Sequence, residues 1–420
     1  MVRSRASRIA WYMLMYAQLA LIAVFVFVYS AIAGGLEKTQ VNGAMVFTAF
    51  GLIFGPLGFG LLSLDIEAEG IRKLAELTLA LVLFTDASNA NLAILKKNIG
   101  LPRRLLLLGL PLTILLGYVF GIVIFDELGL LEVALVATML APTDAALGKA
   151  VVTDESVPGN IRESLNVESG LNDGICVPIL FVFLALAVGT STDEGTTSLA
   201  VRLVAEDIGI GVAVGVTLTY FGVALVRLSA ARGWVTRSWR QLPVVALAFA
   251  CFALAQTLGG SGFIAAFCGG LFFGWLGSDK KHPFLLAAEG TGDTFALLTW
   301  VVFGCMVVGP AFHTLSWQVV LYALLSLTVI RMLPVFIVLW GTNLRISDKL
   351  FIGWFGPRGL ASIVFGVIVL GENLPGSETI KMAAISTITL SVVLHGLTAK
   401  PFIAALAARE NRASRPDESI

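Results

Sequence analysis

The chain predicts an all-α, polytopic membrane protein of about thirteen transmembrane helices, and three observations carry that reading. Of its 420 residues, 57% are hydrophobic and only 13% charged. Its mean hydropathy is +0.90. Apolar stretches of about 20 residues, long enough to cross about 30 Å of hydrocarbon, recur from end to end. Basic and acidic residues balance at 28 each, so net charge points to no nucleic acid or other polyanionic partner.

Breaking the chain at charges, Pro/Gly clusters and polar loops centres the spans near Ile22, Leu52, Leu79, Ile114, Ala137, Val177, Val214, Ala248, Ala266, Val301, Leu327, Val364 and Val392. The first follows Arg3, Arg5 and Arg8 and ends at Ala31-Ile32-Ala33, like a signal peptide. Its apolar run from Ile9 to Ala33 is too long for a cleavable core, which predicts a retained span. Polar residues interrupt the third, fifth, sixth and twelfth. An odd count puts the termini on opposite sides. With a cytoplasmic C-terminus, the cytoplasmic loops collect Lys96, Lys97, Arg103, Arg104, Lys149, Arg162, Arg227, Arg232, Arg237, Arg240, Lys280, Lys281, Arg345 and Lys349, and the tail adds Lys400, Arg409, Arg412 and Arg415. The other side takes Asp126, Glu127, Glu132, Asp193 and Glu194, as the positive-inside rule requires. The arginines of the short N-terminal tail, placed outside, run against it. Residues 410–420 read as a disordered cytoplasmic tail. The pairs Gly51/Gly55, Gly117/Gly121, Gly211/Gly215 and Gly270/Gly274 predict close helix packing, within one protomer or between two.

Carboxylates are costly inside a lipid-spanning helix, yet Asp144, Glu168 and Asp173 sit in such stretches and point to a buried cation site. In Ala141-Pro142-Thr143-Asp144 the proline removes a backbone donor and predicts a helix break near Ala141. That frees carbonyls, Thr143 among them, to face a cation beside Asp144. In Glu168-Ser169-Gly170-Leu171-Asn172-Asp173, Ser169 and Asp173 share one helix face and Glu168 and Asn172 the adjacent one. Hard oxygen ligands of this kind suit an alkali cation, not a soft transition metal. Burial disfavours a bare carboxylate, so Asp173 is expected to hold either a proton or a cation, and competition for one site suffices for exchange. Arg331, in the span from Leu321 to Trp340 and followed by Pro334, needs a buried partner, for which Glu168 is the candidate with Asn172 helping. Arg358 stands in Gly356-Pro357-Arg358-Gly359, which breaks the twelfth helix as Ala141-Pro142 breaks the fifth. Broken segments in corresponding halves mark an inverted-repeat transporter, here with spans four to six matching eleven to thirteen.

The remaining polar residues have plainer readings. Asp86, Asn89, Asn91, Glu206, Asp207, Glu289 and Asp293 are expected to end helices or line cavities. Cys176, Cys251, Cys268 and Cys305 lack CxxC spacing and read as small buried hydrophobes. His282, His313 and His395 share no ligand spacing and read as loop or cavity residues. No soluble domain, nucleotide-binding module or cofactor site is legible. A channel would carry a repeated filter loop or pore-helix signature. An intramembrane enzyme would carry a Ser/His pair or HExxH, and an ATP-driven pump a GxxxxGK[ST] loop.

The motifs at 141–144, 168–173 and 356–359, with the Arg331 span, resemble the monovalent cation–proton antiporters, specifically the electroneutral NhaP and eukaryotic sodium/proton exchanger branch. The resemblance covers nearly the whole chain. It implies a multi-pass cell-membrane homodimer in which a six-helix core moves as an elevator against a scaffold. The core would be residues 101–190 and 312–409, with scaffold in 1–100 and linker plus scaffold in 191–311. The resemblance further implies that Asp173 carries the exchanged ion, with Asp144, Ser169 and the Thr143 carbonyl as co-ligands for Na+ or Li+. Glu168 would pair with an arginine, Arg331 by position; Arg358, like Asn172, stands as a supporting residue. Asn172 matches the electroneutral pattern of one cation for one proton. Gly170 departs from the bulkier residues common at its position. The choice between sodium and potassium stays open at this point, since it depends on cavity size.

Overall fold

The computed structural model describes residues 5–63, 69–90, 100–144, 146–190, 197–236, 238–277, 282–311 and 315–413. Expectations for Arg3, Asn91, Lys96, Lys97, Asp193, Glu194, Arg237, Lys280, Lys281, His313 and Arg415 lie outside the described residues, as do the side chains of Arg5, Arg8, His282 and Arg412. Regular structure among the described residues is helical throughout. In chain order it comprises α1 (Arg5–Leu36), α2 (Gly43–Phe54), α3 (Glu69–Asn89), α4 (Gly100–Ile124, with a π-helical turn at Leu105–Gly109), α5 (Leu130–Met139), α6 (Lys149–Val152), α7 (Gly159–Thr190) and α8 (Thr197–Ala231). There follow α9 (Pro243–Thr257), α10 (Gly262–Gly277), α11 (His282–Val302, continued by a π-helical turn at Phe303–Val308), α12 (Trp317–Leu327), α13 (Val329–Val338), α14 (Ile346–Trp354), α15 (Leu360–Gly371) and α16 (Ser377–Ala413). All the expected span centres fall within helices. Among the described residues, eight helical segments are long and apolar enough to cross a bilayer, and four shorter apolar helices accompany them. The chain is a multi-pass membrane protein. The last helix runs to Ala413, past the expected start of the tail, because Ala404-Ala405-Leu406-Ala407-Ala408-Arg409 is strongly helix-forming.

The glycine pairs meet neighbours within this chain. A Cβ at Gly51 would strike the Val301 carbonyl of α11, and one at Gly304 the Thr48 carbonyl of α2. Gly211 and Gly215 of α8 rest on the Ser261 and Ala265 carbonyls at the start of α10. Gly270 and Gly274 of α10 rest on Phe84 and Ser88 of α3, and Gly117 and Gly121 of α4 on Tyr322 and Val133. With no lipid-excluded driving force between helices, such close backbone approach supplies the packing energy. Removing the side chains lets α3, α8 and α10 form one tight group.

Three interruptions break the helical pattern. After Met139 the chain runs non-helically through Ala141–Asp144, because Pro142 has no N–H and its ring obstructs the preceding turn. After Trp354 it does so again through Phe355–Gly359, at Gly356-Pro357. The third was not expected. The span around Arg331 divides at Thr328, whose backbone (φ −110°, ψ −92°) departs from helical geometry. Pro334 lacks the N–H that would bond the Ile330 carbonyl, which loosens that turn, and the Thr328 hydroxyl bonds Leu324 O at 2.6 Å. Arg331 thereby enters the first turn of α13 rather than the middle of a continuous helix.

Candidate ion-binding site

The first two interruptions cross and are stitched together. The Asp144 backbone N–H donates to Pro357 O (2.7 Å), and Asp144 Oδ2 accepts from Leu360 N–H (2.8 Å). Asp144 Oδ1 accepts from the N–H groups of Ala146 (2.7 Å) and Leu147 (3.1 Å) in its own turn. A carboxylate thus caps the N-terminus of α15, where the helix dipole favours negative charge. In the opposite sense, Arg358 Nη1 donates to Ala141 O (2.7 Å) and Pro142 O (3.1 Å), placing a guanidinium at the carbonyls freed by the end of α5. Ser362 of α15 adds a bond to Met139 O at 2.8 Å. Close approach here requires glycine. A Cβ at Gly359 would collide with the Asp144 carboxylate, and one at Gly356 with the Arg331 guanidinium.

Helix α7 presents the second motif to this crossing. Ser169 Oγ donates to Thr143 O (2.5 Å), and Asn172 Nδ2 donates to Thr143 Oγ1 (2.7 Å). Glu168 receives Arg331 in a two-pronged pair, Nη1 to Oε1 at 2.6 Å and Nη2 to Oε2 at 2.8 Å, with both side chains almost fully buried. Asn172 therefore does not help the Arg331 pair, as had been expected of it. It lies one turn further along the same face of α7, and its amide serves the unwound Thr143 instead. The Thr143 carbonyl is also engaged, by Ser169, although a carbonyl has a second lone pair for a cation.

Asp173 is 7% exposed, and its Oδ1 has no hydrogen-bond partner among the described residues; the same holds for Asn172 Oδ1. A buried acceptor without a donor costs about 1–3 kcal/mol, so the fold holds oxygen ligands that a proton or cation would satisfy. The sequence motifs are all brought together: Thr143 and Asp144 from the first break, Glu168, Ser169, Asn172 and Asp173 from α7, Arg331 from α13 and Arg358 from the second break.

A cavity of about 250 Å³ opens between α3 and α7, lined by Asp86, Asn89, Ala90, Asn166 and Gly170. Asn166, Gly170 and Asp173 follow one another along a single face of α7, so the cavity wall leads towards Asp173. Lacking a side chain, Gly170 leaves this wall open, and a Cβ there would reach Asp86 O at 3.4 Å. Asn89 Nδ2 of this lining donates to Glu289 (2.7 Å), and Lys149 pairs with Asp293 at 3.5 Å. The charges of Asp144, Glu289 and Asp293 act on Asp86, and those of Asp86 and Asp144 on Asp173. Glu206 stands apart, paired with Arg202 within α8 at 3.0 Å.

His395 had been read as a loop or cavity residue. It is instead buried in α16 and bonded at both ring nitrogens. A single histidine in an apolar helix carries no local signal that another helix ends against it. The four cysteines are free thiols, with Cys176, Cys251 and Cys305 buried.

A family model described as "Sodium/hydrogen exchanger, transmembrane" matches residues 18–405. The chain belongs to the sodium/hydrogen exchanger family. Among similar proteins, the Na(+)/H(+) antiporter ApNhaP of Aphanothece halophytica is 25% identical over 412 residues, covering 93% of this chain and 76% of that protein. The K(+)/H(+) antiporter NhaP2 of Shewanella baltica is 22% identical over 360 residues, and this chain spans 60% of its length. The solved sodium proton antiporter MjNhaP1 of Methanocaldococcus jannaschii at pH 8 superposes with a TM-score of 0.73 at 20% identity, covering 91% of this chain and 99% of that one. The fold is that of the NhaP antiporter structure.

Proposed function

We propose that this member of the sodium/hydrogen exchanger family is a secondary active antiporter that exchanges Na+ or Li+ for H+ at Asp173. The observation that carries the reading is the buried, unpartnered Asp173 Oδ1 beside two crossed helix breaks. A carboxylate held out of water is stable when protonated or when bound to a cation, and one oxygen cannot serve both at once. Asp144, Ser169 and the Thr143 carbonyl complete a hard oxygen set around it. With the Glu168–Arg331 pair internally neutral and Asn172 uncharged, the alternating charge at the site is that of Asp173, which supports electroneutral one-for-one exchange. In this reading the chain crosses the cell membrane thirteen times, with the C-terminus cytoplasmic and the N-terminus outside. Residues 101–190 and 312–409 form a core, related as inverted repeats, that moves as an elevator against the scaffold of a homodimer.

Potassium–proton exchange is the second reading, favoured by the similarity to proteins named K(+)/H(+) antiporter. The deciding experiment records pH inside proteoliposomes on addition of sodium, lithium or potassium, with Asp173→Asn alongside. Sodium- or lithium-driven proton movement that vanishes in the variant is the expected result. A response to potassium alone selects the second reading, and undiminished exchange in Asp173→Asn removes the site assignment.

A further inference from the structure

The second break is held from behind by a stripe on α16, and the chemistry of that stripe specifies the state of a histidine that takes no part in binding. Ser391, His395 and Thr398 lie along one face of α16. The Arg358 backbone N–H donates to Ser391 Oγ at 2.6 Å. His395 Nε2 lies 2.8 Å from Trp354 O, the last carbonyl of α14, and Nδ1 lies 3.2 Å from Ser391 Oγ and 2.9 Å from Ser391 O. Trp354 is itself pinned by its indole N–H to Thr398 Oγ1 (2.9 Å) and lies against the imidazole with ring centroids 5.2 Å apart.

Both ring nitrogens face a backbone carbonyl oxygen, so the two neutral tautomers differ in what compensates the nitrogen left without a hydrogen. Ser391 Oγ accepts from Arg358, so its own hydrogen is free to point at a lone pair on Nδ1 and offset the approach of that lone pair to Ser391 O, a compensation that Nε2 lacks. Nε2 then carries the hydrogen and donates to Trp354 O. The other neutral tautomer would set a lone pair on Nε2 against the Trp354 carbonyl. A doubly protonated ring would add positive charge near Arg331 and Arg358, already buried together. The charged groups facing this pocket are those two guanidinium groups, from α13 and the second break, with Glu168 of α7 beyond them.

We infer that His395 is a positioning residue for ion exchange: a neutral, Nε2-protonated imidazole that, through Ser391 and Trp354, fixes the unwound Phe355–Gly359 segment. That segment supplies Pro357 O and Leu360 N–H to Asp144 and Arg358 to Ala141 and Pro142, so a shift in it displaces the oxygen set around Asp173. His395 touches neither cation nor proton. The inference rests on the antiporter reading, and its test separates the two.

Cation-driven proton movement would be measured in proteoliposomes for the wild type, His395→Leu, His395→Gln and Ser391→Ala, alongside 15N-histidine NMR of the wild type with His395→Gln used to assign the signal. Glutamine can donate to Trp354 O and accept from Ser391. The expected result is an apparent KM for the cation raised about tenfold in His395→Leu and Ser391→Ala, as when a group orienting a ligand is removed. Rescue to near the wild-type KM in His395→Gln should accompany it, with the His395 signal that of the Nε2–H neutral form across pH 6–9. A wild-type KM in His395→Leu, or no rescue by glutamine, overturns the positioning role. An Nδ1–H or doubly protonated signal overturns the relay. A wild type that moves no protons defeats the antiporter reading instead, and the NMR result then decides the relay alone.

Discussion

The first break, Ala141–Asp144, is supported by α7, which brings Ser169 and Asn172 to Thr143 and carries Glu168 and Asp173 on the same stretch. The second, Phe355–Gly359, is supported by α16, which brings Ser391 and His395 to Arg358 and Trp354. Both solve the same problem, since backbone groups freed inside a bilayer must find partners. Both use a helix-borne hydroxyl to do so. They differ in charge: the ionisable oxygen ligands cluster on the α7 side, whereas the α16 side supplies neutral groups. The two breaks also exchange their capping charges, Asp144 serving the helix of the second and Arg358 the carbonyls of the first. Shared architecture therefore accounts for the crossing, and an asymmetric set of side chains gives it an ion to hold.

The largest expected effect falls on the α7 side. Arg331→Ala strands the Glu168 carboxylate and should cost about 3–5 kcal/mol, read as a lowered midpoint of thermal unfolding in detergent. Replacing both partners, Glu168→Leu with Arg331→Leu, should recover a large part of that loss; a double variant as unstable as the single would show that the pair's charge is not what the fold requires. At the crossing, Gly359→Ala drives a methyl into the Asp144 carboxylate and should cost about 1–3 kcal/mol, with exchange lost in parallel. Asp144→Asn keeps one acceptor oxygen and turns an amide donor towards a backbone N–H, so about 1–3 kcal/mol is expected by the same assay. Two glycines of α7 separate a comparable effect from the smallest one. Gly174→Ala meets the Phe267 ring and should destabilise by about 1–3 kcal/mol. Gly170→Ala finds only ordinary contact with Asp86 and should be neutral or stabilising by up to about 1 kcal/mol. Equal effects at the two positions would contradict the open wall proposed at Gly170.

Much of this was legible because its signals are local. Prolines at 142 and 357 mark the breaks, helical spacing sorts Glu168 to Asp173 onto two faces, and a lone buried arginine demands a carboxylate. What the sequence concealed depends on which helix meets which. The assignment of Asn172 to Thr143 rather than Arg331 turns on where along α7 the first break and α13 meet it. The interruption at Thr328 has no proline or glycine at its own position to announce it. His395 gained its role only when α14 ended against it. The cavity lined by Asp86 and Asn89, and the bond from Asn89 to Glu289 some two hundred residues away, follow from the packing of α3 on α7 and α11, which no local pattern announces.

If one carboxylate is shared by proton and cation, adding sodium, and separately potassium, to the purified protein in weakly buffered detergent solution must release protons that can be recorded. Proton release that saturates with cation concentration in the wild type and is absent in Asp173→Asn is the predicted result, because binding at a shared ligand must displace its proton. Cation binding without proton release, or equal release from Asp173→Asn, would contradict it.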